Sequence, residues 1–289
     1  MKLQAPFRNA VVALVWAWML VFVFLPNLLV IAASFLTRDD VHFVRLDWSL
    51  ASYARLFDAV YAGVFVESLG IALATTLACL ALGYPFAYAL SRLPTRLKPL
   101  LVFLVILPFW TNSLVRTYAM KLLLATNGLV NQALLGLGLV DEPLRMLYTQ
   151  GAVIAGLVYV LLPFMILPLY AVFEQLRTDL LEVSGDLGAG RWRTFRYVVL
   201  PLTMPGVVAG CLLVLIPAVG MFYVADVLGG ARHLLIGNII KNQFLDARDW
   251  PFGAAASIAL TLAMALLLYA YYLSARMVRG RQGARHALA

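Results

Sequence analysis

Glu182, Gly188, Val198 and the pair Leu200-Pro201 are residues whose types and spacing could hold a partner and pass a movement to it. They belong to a polar stretch, Glu182-Val183-Ser184-Gly185-Asp186-Leu187-Gly188-Ala189-Gly190, in a chain that is otherwise mostly apolar. Thr178 or Asp179 can cap a short helix here, and Glu182 in its first turn suits the positive end of the helix dipole. Gly188 and Gly190 are expected to stop that helix, because glycine accepts the left-handed backbone that follows a C-terminus. A second short helix over residues 191–199 carries Trp192 and Phe195 beside Arg191, Arg193 and Arg196. Pro201 and Pro205 mark the entry to the next apolar run. The stretch reads either as an ordinary loop with a helical hairpin or as a docking element. In the second case a partner covers Leu187, Trp192 and Phe195, on a turn shaped by Glu182, Asp186 and Gly188.

A second set of residues could line a polar path. Asp226 follows Tyr223 at the end of one apolar run interrupted by Pro217, and Glu67 opens another. Trp110, Asn112 and Tyr118 lie on a third run and Tyr159 on a fourth. Aromatics also gather at membrane interfaces whatever the function, so each of these has a purely structural reading as well. Arg116 and Lys121, near the same face, count against a bare cation path and are available to pair with Glu67 or Asp226.

Other chemistry is not provided for. No Gly-x-x-x-x-Gly-Lys-Ser/Thr loop occurs, so the chain is not expected to bind ATP. His42, His233 and His286 lack metal-ligand spacing, and no catalytic constellation, metal or cofactor is expected. The five longest apolar runs contain no carboxylate, Lys, Arg or His, which argues against a proton-driven carrier and an intramembrane hydrolase alike. Energy would have to arrive from outside, through the loop that carries Glu182.

The elements that must position these groups follow from composition. Of 289 residues, 63% are hydrophobic and 12% charged, against about a quarter charged in soluble domains. This implies one all-α polytopic membrane domain, since hydrocarbon offers unpaired backbone groups no partner. The net charge of +8 could suggest nucleic acid in a soluble protein; in a membrane protein it reports basic cytoplasmic loops, and no nucleic acid is expected. Cys79 and Cys211 fall inside apolar runs and read as buried thiols. The first apolar run is too long for a signal-peptide core and is expected to be a retained span.

Six spans are predicted, near residues 10–36, 68–90, 99–121, 146–173, 201–225 and 251–275, with a loop over 174–200. Pro26, Pro163 and Pro168 are expected to kink their spans. The uncharged run 122–140 contains Asn127, Gly128, Asn131, Gln132, Gly136 and Gly138 and reads as an interfacial or re-entrant helix. A crossing there would put the Glu182 loop and the C-terminal arginines opposite Arg92, Arg96 and Lys98. With six spans, the side holding both termini has 13 basic and 4 acidic residues, and the other side 9 and 10. The positive-inside rule then puts both termini in the cytoplasm.

The spacing of Glu182, Gly188, Val198 and Leu200-Pro201 also resembles the cytoplasmic loop of ABC importer permeases, which reads Glu-Ala-Ala, three residues, Gly, nine residues, Ile, one residue, Leu-Pro. Val183 and Ser184 stand where that pattern has two alanines, and Val198 where it has isoleucine. Three further segments look familiar: Phe35-Leu36-Thr37-Arg38-Asp39-Asp40, Pro108-Phe109-Trp110-Thr111-Asn112-Ser113-Leu114 and Arg248-Asp249-Trp250-Pro251-Phe252-Gly253-Ala254. Together they resemble, over nearly the whole chain, the first of the two permease subunits of spermidine/putrescine ABC importers.

The resemblance implies the type I importer fold, a polyamine substrate and a bacterial inner-membrane location. It also implies as partners a second permease, two copies of a cytoplasmic ATPase and a soluble binding protein outside the membrane. Permeases for ferric iron or phosphonates are the nearby alternatives. A membrane enzyme and a non-transporting scaffold are the rivals from other classes.

Overall fold

The computed structural model describes residues 4–39, 43–177, 179–230 and 233–286. Lys2, Asp40, His42 and Thr178 therefore lie outside the described residues, and the C-terminal arginines from Arg276 onward and His286 are placed by their backbone alone. The chain packs as two compact units, one formed by Met1–Gly63 with Ile239–Ala263 and the other by Val64–Asn238 with Met264–Ala289.

In the first unit, α1 (Gln4–Met19) passes through a π-helical turn, Leu20–Phe24, into α2 (Leu25–Ser34). Pro26 stands near the start of α2 but inside a helix that runs unbroken from α1, so its missing N–H falls where the ladder widens. The wider turn comes just before it, and Asn27 Nδ2 donates to the Val23 carbonyl there at 2.7 Å. An antiparallel hairpin follows, β1 (Leu36–Asp39) with β2 (Phe43–Trp48). The chain is all-α as expected, and this short hairpin is the one β element among its described residues. The strand signal was present: Val44, Leu46 and Trp48 alternate with Arg45 and Asp47. Phe35 packs on Trp48 and Tyr53, and Tyr53 bonds Ser34 at 2.8 Å.

The short α3 (Ala51–Leu56) carries Arg55 to the start of α14 (Trp250–His286). Asp249 is buried and holds both elements. Its Oδ2 accepts from Arg55 Nη1 at 2.7 Å, and its Oδ1 accepts from the backbone N–H of Phe252 at 3.1 Å. The guanidinium also lies 4.3 Å from the centre of the Phe252 ring. Burial works against the charge of Arg55, but the Asp249 carboxylate outweighs it and holds the guanidinium above its ordinary pKa. The segment Arg248-Asp249-Trp250-Pro251-Phe252 is thus a capped helix start, with Pro251 in the first turn.

The second unit holds most of α4 (Ala59–Arg92), whose buried Ser68, Ala72, Thr75, Cys79 and Gly83 form a stripe at helical spacing. Residues 98–124 do not form one straight span. α5 (Lys98–Ile106) tightens to a 3-10 turn over Leu107–Trp110, breaks at Thr111, and restarts as α6 (Ser113–Leu124). Asn112 caps α6 by accepting from the Leu114 N–H at 2.8 Å. The axes before and after the break differ by 95°. Beyond α6, Asn131 in α7 (Leu129–Gly136) bonds the backbone of Ala125, Thr126 and Leu144, tying the turn together.

α8 (Gln150–Glu174) is capped by Thr149 and packs along α11 (Leu200–Gly220). Gly206 and Gly210 make that closeness possible. A Cβ at Gly206 would lie 3.0 Å from the Pro168 carbonyl, and one at Gly210 would lie 2.6 Å from Met165 Sδ. The Gly-x-x-x-Gly spacing lets helix backbones approach where lipid offers no hydrophobic drive. Cys79 is buried, whereas Cys211 is only partly so. Among the described residues, five helices are long and apolar enough to cross a membrane, and the bent pair Lys98–Trp110 with Ser113–Gly136 brings the number to six if it is one span.

Candidate functional site

Two places gather the candidate residues. The first lies between α8 and α11, where α9 (Asp179–Asp186) is followed by α10 (Arg191–Thr194) and a π-helical turn, Phe195–Val199. α9 ends in a Schellman turn. The Ala189 N–H donates to the Ser184 carbonyl at 3.0 Å, and the Gly188 N–H donates to Gly185 at 2.9 Å. Gly188 has φ of +77°, and a Cβ there would meet nothing within 4 Å, so its role is in the backbone and not in packing. Gly190 corrects the expectation of a second left-handed glycine. Its φ is −64°, and it is the N-cap of α10.

Ser184 is buried, donates to the Leu181 carbonyl and bonds Thr194 Oγ1 at 2.9 Å, which clasps α9 to α10. At the start of α9, Arg177 grips the Asp179 carboxylate through Nε and Nη2, and this bond holds the acid below its ordinary pKa. Glu182 and Asp186 are exposed. Leu187 is 82% exposed and Trp192 73%, a large apolar surface for two neighbouring turns. Trp192 stacks on Phe195 at 5.6 Å, Phe195 meets Tyr84 of α4 at 5.9 Å, and Tyr84 bonds Thr203 of α11 at 2.9 Å. Packed rings and this hydrogen bond thus join the exposed residues of the loop to α4 and α11.

The second place is a cleft of about 480 Å³ at the break before α6, lined by Thr111, Asn112, Ser113, Arg116 and Tyr223 with Phe109, Phe164, Val160 and Met221. Asn112 and Tyr223 are brought together there. Tyr159 lies under Arg116, 5.9 Å from ring centre to guanidinium. Trp110 stays outside the cleft lining, exposed and packed edge-on against Phe103.

Asp226 and Glu67 are engaged elsewhere. Asp226 lies in a π-helical turn, Ala225–Gly229, after the short α12 (Phe222–Val224), and accepts from Asn238 Nδ2 in α13 (Ile236–Leu245). Asn238 also donates to the Phe222 carbonyl and accepts from Leu235, so it ties this loop together. Glu67 meets His233 Nδ1 at 3.3 Å. Arg116 and Lys121 take neither carboxylate. Lys121 lies 5.9 Å from the Tyr148 ring centre, and Arg116 Nε and Nη1 are buried with no hydrogen-bond partner among the described residues.

Residues 79–282 match the family model of binding-protein-dependent transport system inner membrane components. The chain belongs to that family. This inner membrane component is 55% identical to the spermidine/putrescine transport system permease protein PotB of Salmonella typhimurium, over 96% of its own length and 97% of the relative. It is 56% identical to the Escherichia coli protein of that name, over 90% and 95% of the two chains. Its fold is shared with a chain of a bacterial alginate ABC transporter solved with an alginate-bound periplasmic protein, at a TM-score of 0.78, 16% identity, and 95% and 96% coverage. As a permease subunit of an ABC importer the chain transports and does not catalyse. Sequence reasoning missed Ser184, Arg55 and the Gly206/Gly210 pair as organising residues. The glycine spacing was legible; the partners of Ser184 and Arg55 were not.

Proposed function

We propose that this chain is one of two unlike membrane subunits of an ATP-driven importer of polyamines, spermidine or putrescine. The carrying observation is its 55% identity, over nearly full length, to a spermidine/putrescine permease. It works as a single permease domain over 1–289, with both termini in the cytoplasm, a placement that the excess of basic residues on that side supports. Spans lie near 10–36, 68–90, 99–121, 146–173, 201–225 and 251–275, the third broken at Thr111. A soluble binding protein delivers substrate from outside, and two copies of a cytoplasmic ATPase bind below.

The loop 174–200 is the docking element for the ATPase. Leu187 and Trp192 offer the apolar surface, Glu182 and Asp186 its polar border, and Gly188 the turn that sets its angle. Closure of the ATPase pair pushes this surface, and the rings of Phe195 and Tyr84 pass the displacement to α11 and α4. The two permeases then alternate between outward-open and inward-open states around a central path. Asn112, Tyr159, Tyr223 and Trp110 supply aromatic and polar walls to that path, and Asp226 and Glu67 the negative charge that replaces water around ammonium groups.

The test is uptake in cells lacking their own polyamine importers. Expression of this chain with its second permease, ATPase and binding protein restores accumulation of labelled spermidine or putrescine, and omission of this chain abolishes it. Accumulation no higher than in the omission control would refute the reading.

A further inference from the structure

The least satisfied charge among the described residues that line the cleft is Arg116. It is 9% exposed, and its Nε and Nη1 are buried without a hydrogen-bond partner among the described residues. The Tyr159 ring at 5.9 Å offers a quadrupole but no acceptor. A guanidinium buried without an acceptor for its N–H groups bears an uncompensated desolvation cost. Native chains tolerate such a group where a ligand or partner completes it.

Its surroundings favour an anion. Arg116 lies in the first turns of α6, a helix of 12 residues whose N-terminus, with Asn112 and Ser113, opens into the same cleft. The dipole of α6 adds positive potential where the guanidinium already supplies a full charge. No Asp or Glu is among the residues lining the cleft. We propose that this cleft receives a carboxylate side chain of the second permease chain, which pairs with Arg116 across the subunit interface. The inference rests on the reading that the chain pairs with a second permease. A partner's carboxylate fits better than a transported anion, because the proposed substrate is cationic and an open arginine would repel it. Once paired, Arg116 no longer opposes a polyamine passing the aromatic walls nearby.

The test compares Arg116→Met and Arg116→Lys in the chain alone and in the assembled importer. Alone in detergent, Arg116→Met unfolds at the same temperature as the unsubstituted chain or higher, because an unpaired buried charge has been removed. In the assembly, the same variant leaves the partner's carboxylate buried and unpaired. The two permeases then separate at least about tenfold faster, with Arg116→Lys in between. Unchanged separation with Arg116→Met would overturn the proposal, and so would a loss of stability in the chain alone as large as that in the assembly. Sodium acetate is the second arm. If it raises the unfolding temperature of the chain alone through Arg116 while Arg116→Met leaves subunit separation unchanged, the cleft binds a free carboxylate and the partner assignment falls. None of these readouts needs substrate, so absence of spermidine uptake by the unsubstituted importer would refute the transport reading separately.

Discussion

Replacing Gly188 tests whether the turn after α9 sets the angle of the docking surface. With φ at +77° and open space around a Cβ, the whole effect of Gly188→Ala is a backbone cost. An L-residue in the left-handed region costs about 1–2 kcal/mol, which lowers occupancy of the native turn roughly five- to thirtyfold. Asparagine tolerates this region better, so Gly188→Asn should fall between glycine and alanine. Gly188→Asp should uncouple hydrolysis from transport while leaving the chain in the membrane. Gly185→Ala is the control. It lies inside α9, its Cβ would also meet nothing within 4 Å, and alanine there should be neutral or favourable by up to about 1 kcal/mol. The assay is the number of ATP molecules hydrolysed per spermidine imported by purified complex in liposomes. The ratio should rise from Gly188 through Gly188→Asn to Gly188→Ala and stay level in Gly185→Ala. Equal ratios for all four proteins, or a larger effect at 185 than at 188, would refute the reasoning.

Asp249→Ala should lower the unfolding stability of the chain in detergent by about 2 kcal/mol, from one lost cap and one half-exposed ion pair, and Asp249→Asn by about half of that. Calorimetry or thermal unfolding followed by circular dichroism checks both. Asp226→Asn keeps an acceptor for Asn238 and removes only charge, so it should reduce polyamine uptake at matched complex levels while assembly persists. Normal uptake by that variant would assign the dominant carboxylate to the second permease. A reporter fused after Arg285 should face the cytoplasm and one inserted between residues 40 and 47 the outside; both on one side would break the six-span topology.

Where the signal was local, the sequence could be read closely. The Glu182-to-Pro201 spacing marked two short helices with a glycine between them, and Gly188 adopts the left-handed backbone for which glycine is suited. Apolar run length marked the long helices. The break at Thr111 was harder to see, because Pro108 sits within a continuous apolar run and the bend depends on Asn112 capping a new helix. The hairpin at β1 and β2 was hidden by its charges, since Arg45 and Asp47 suggested a loop while the alternation specified a strand. Partners of polar groups are long-range facts. Glu67 with His233, Asp226 with Asn238, and Arg55 with Asp249 join residues 166, 12 and 194 positions apart, and only folding decides between them. For Arg116, the sequence left a pairing with Glu67 or Asp226 open, and the structure shows Nε and Nη1 buried at a cleft without a hydrogen-bond partner among the described residues.

The most direct measurement of the central claim is ATP-driven uptake by the whole importer in proteoliposomes, with loaded binding protein supplied on one face and ATP on the other. The account predicts accumulation of labelled spermidine that requires ATP, the binding protein and this chain, and that putrescine competes with while ferric iron and phosphonates do not. ATP-driven accumulation of ferric iron or a phosphonate without any of spermidine or putrescine would contradict it.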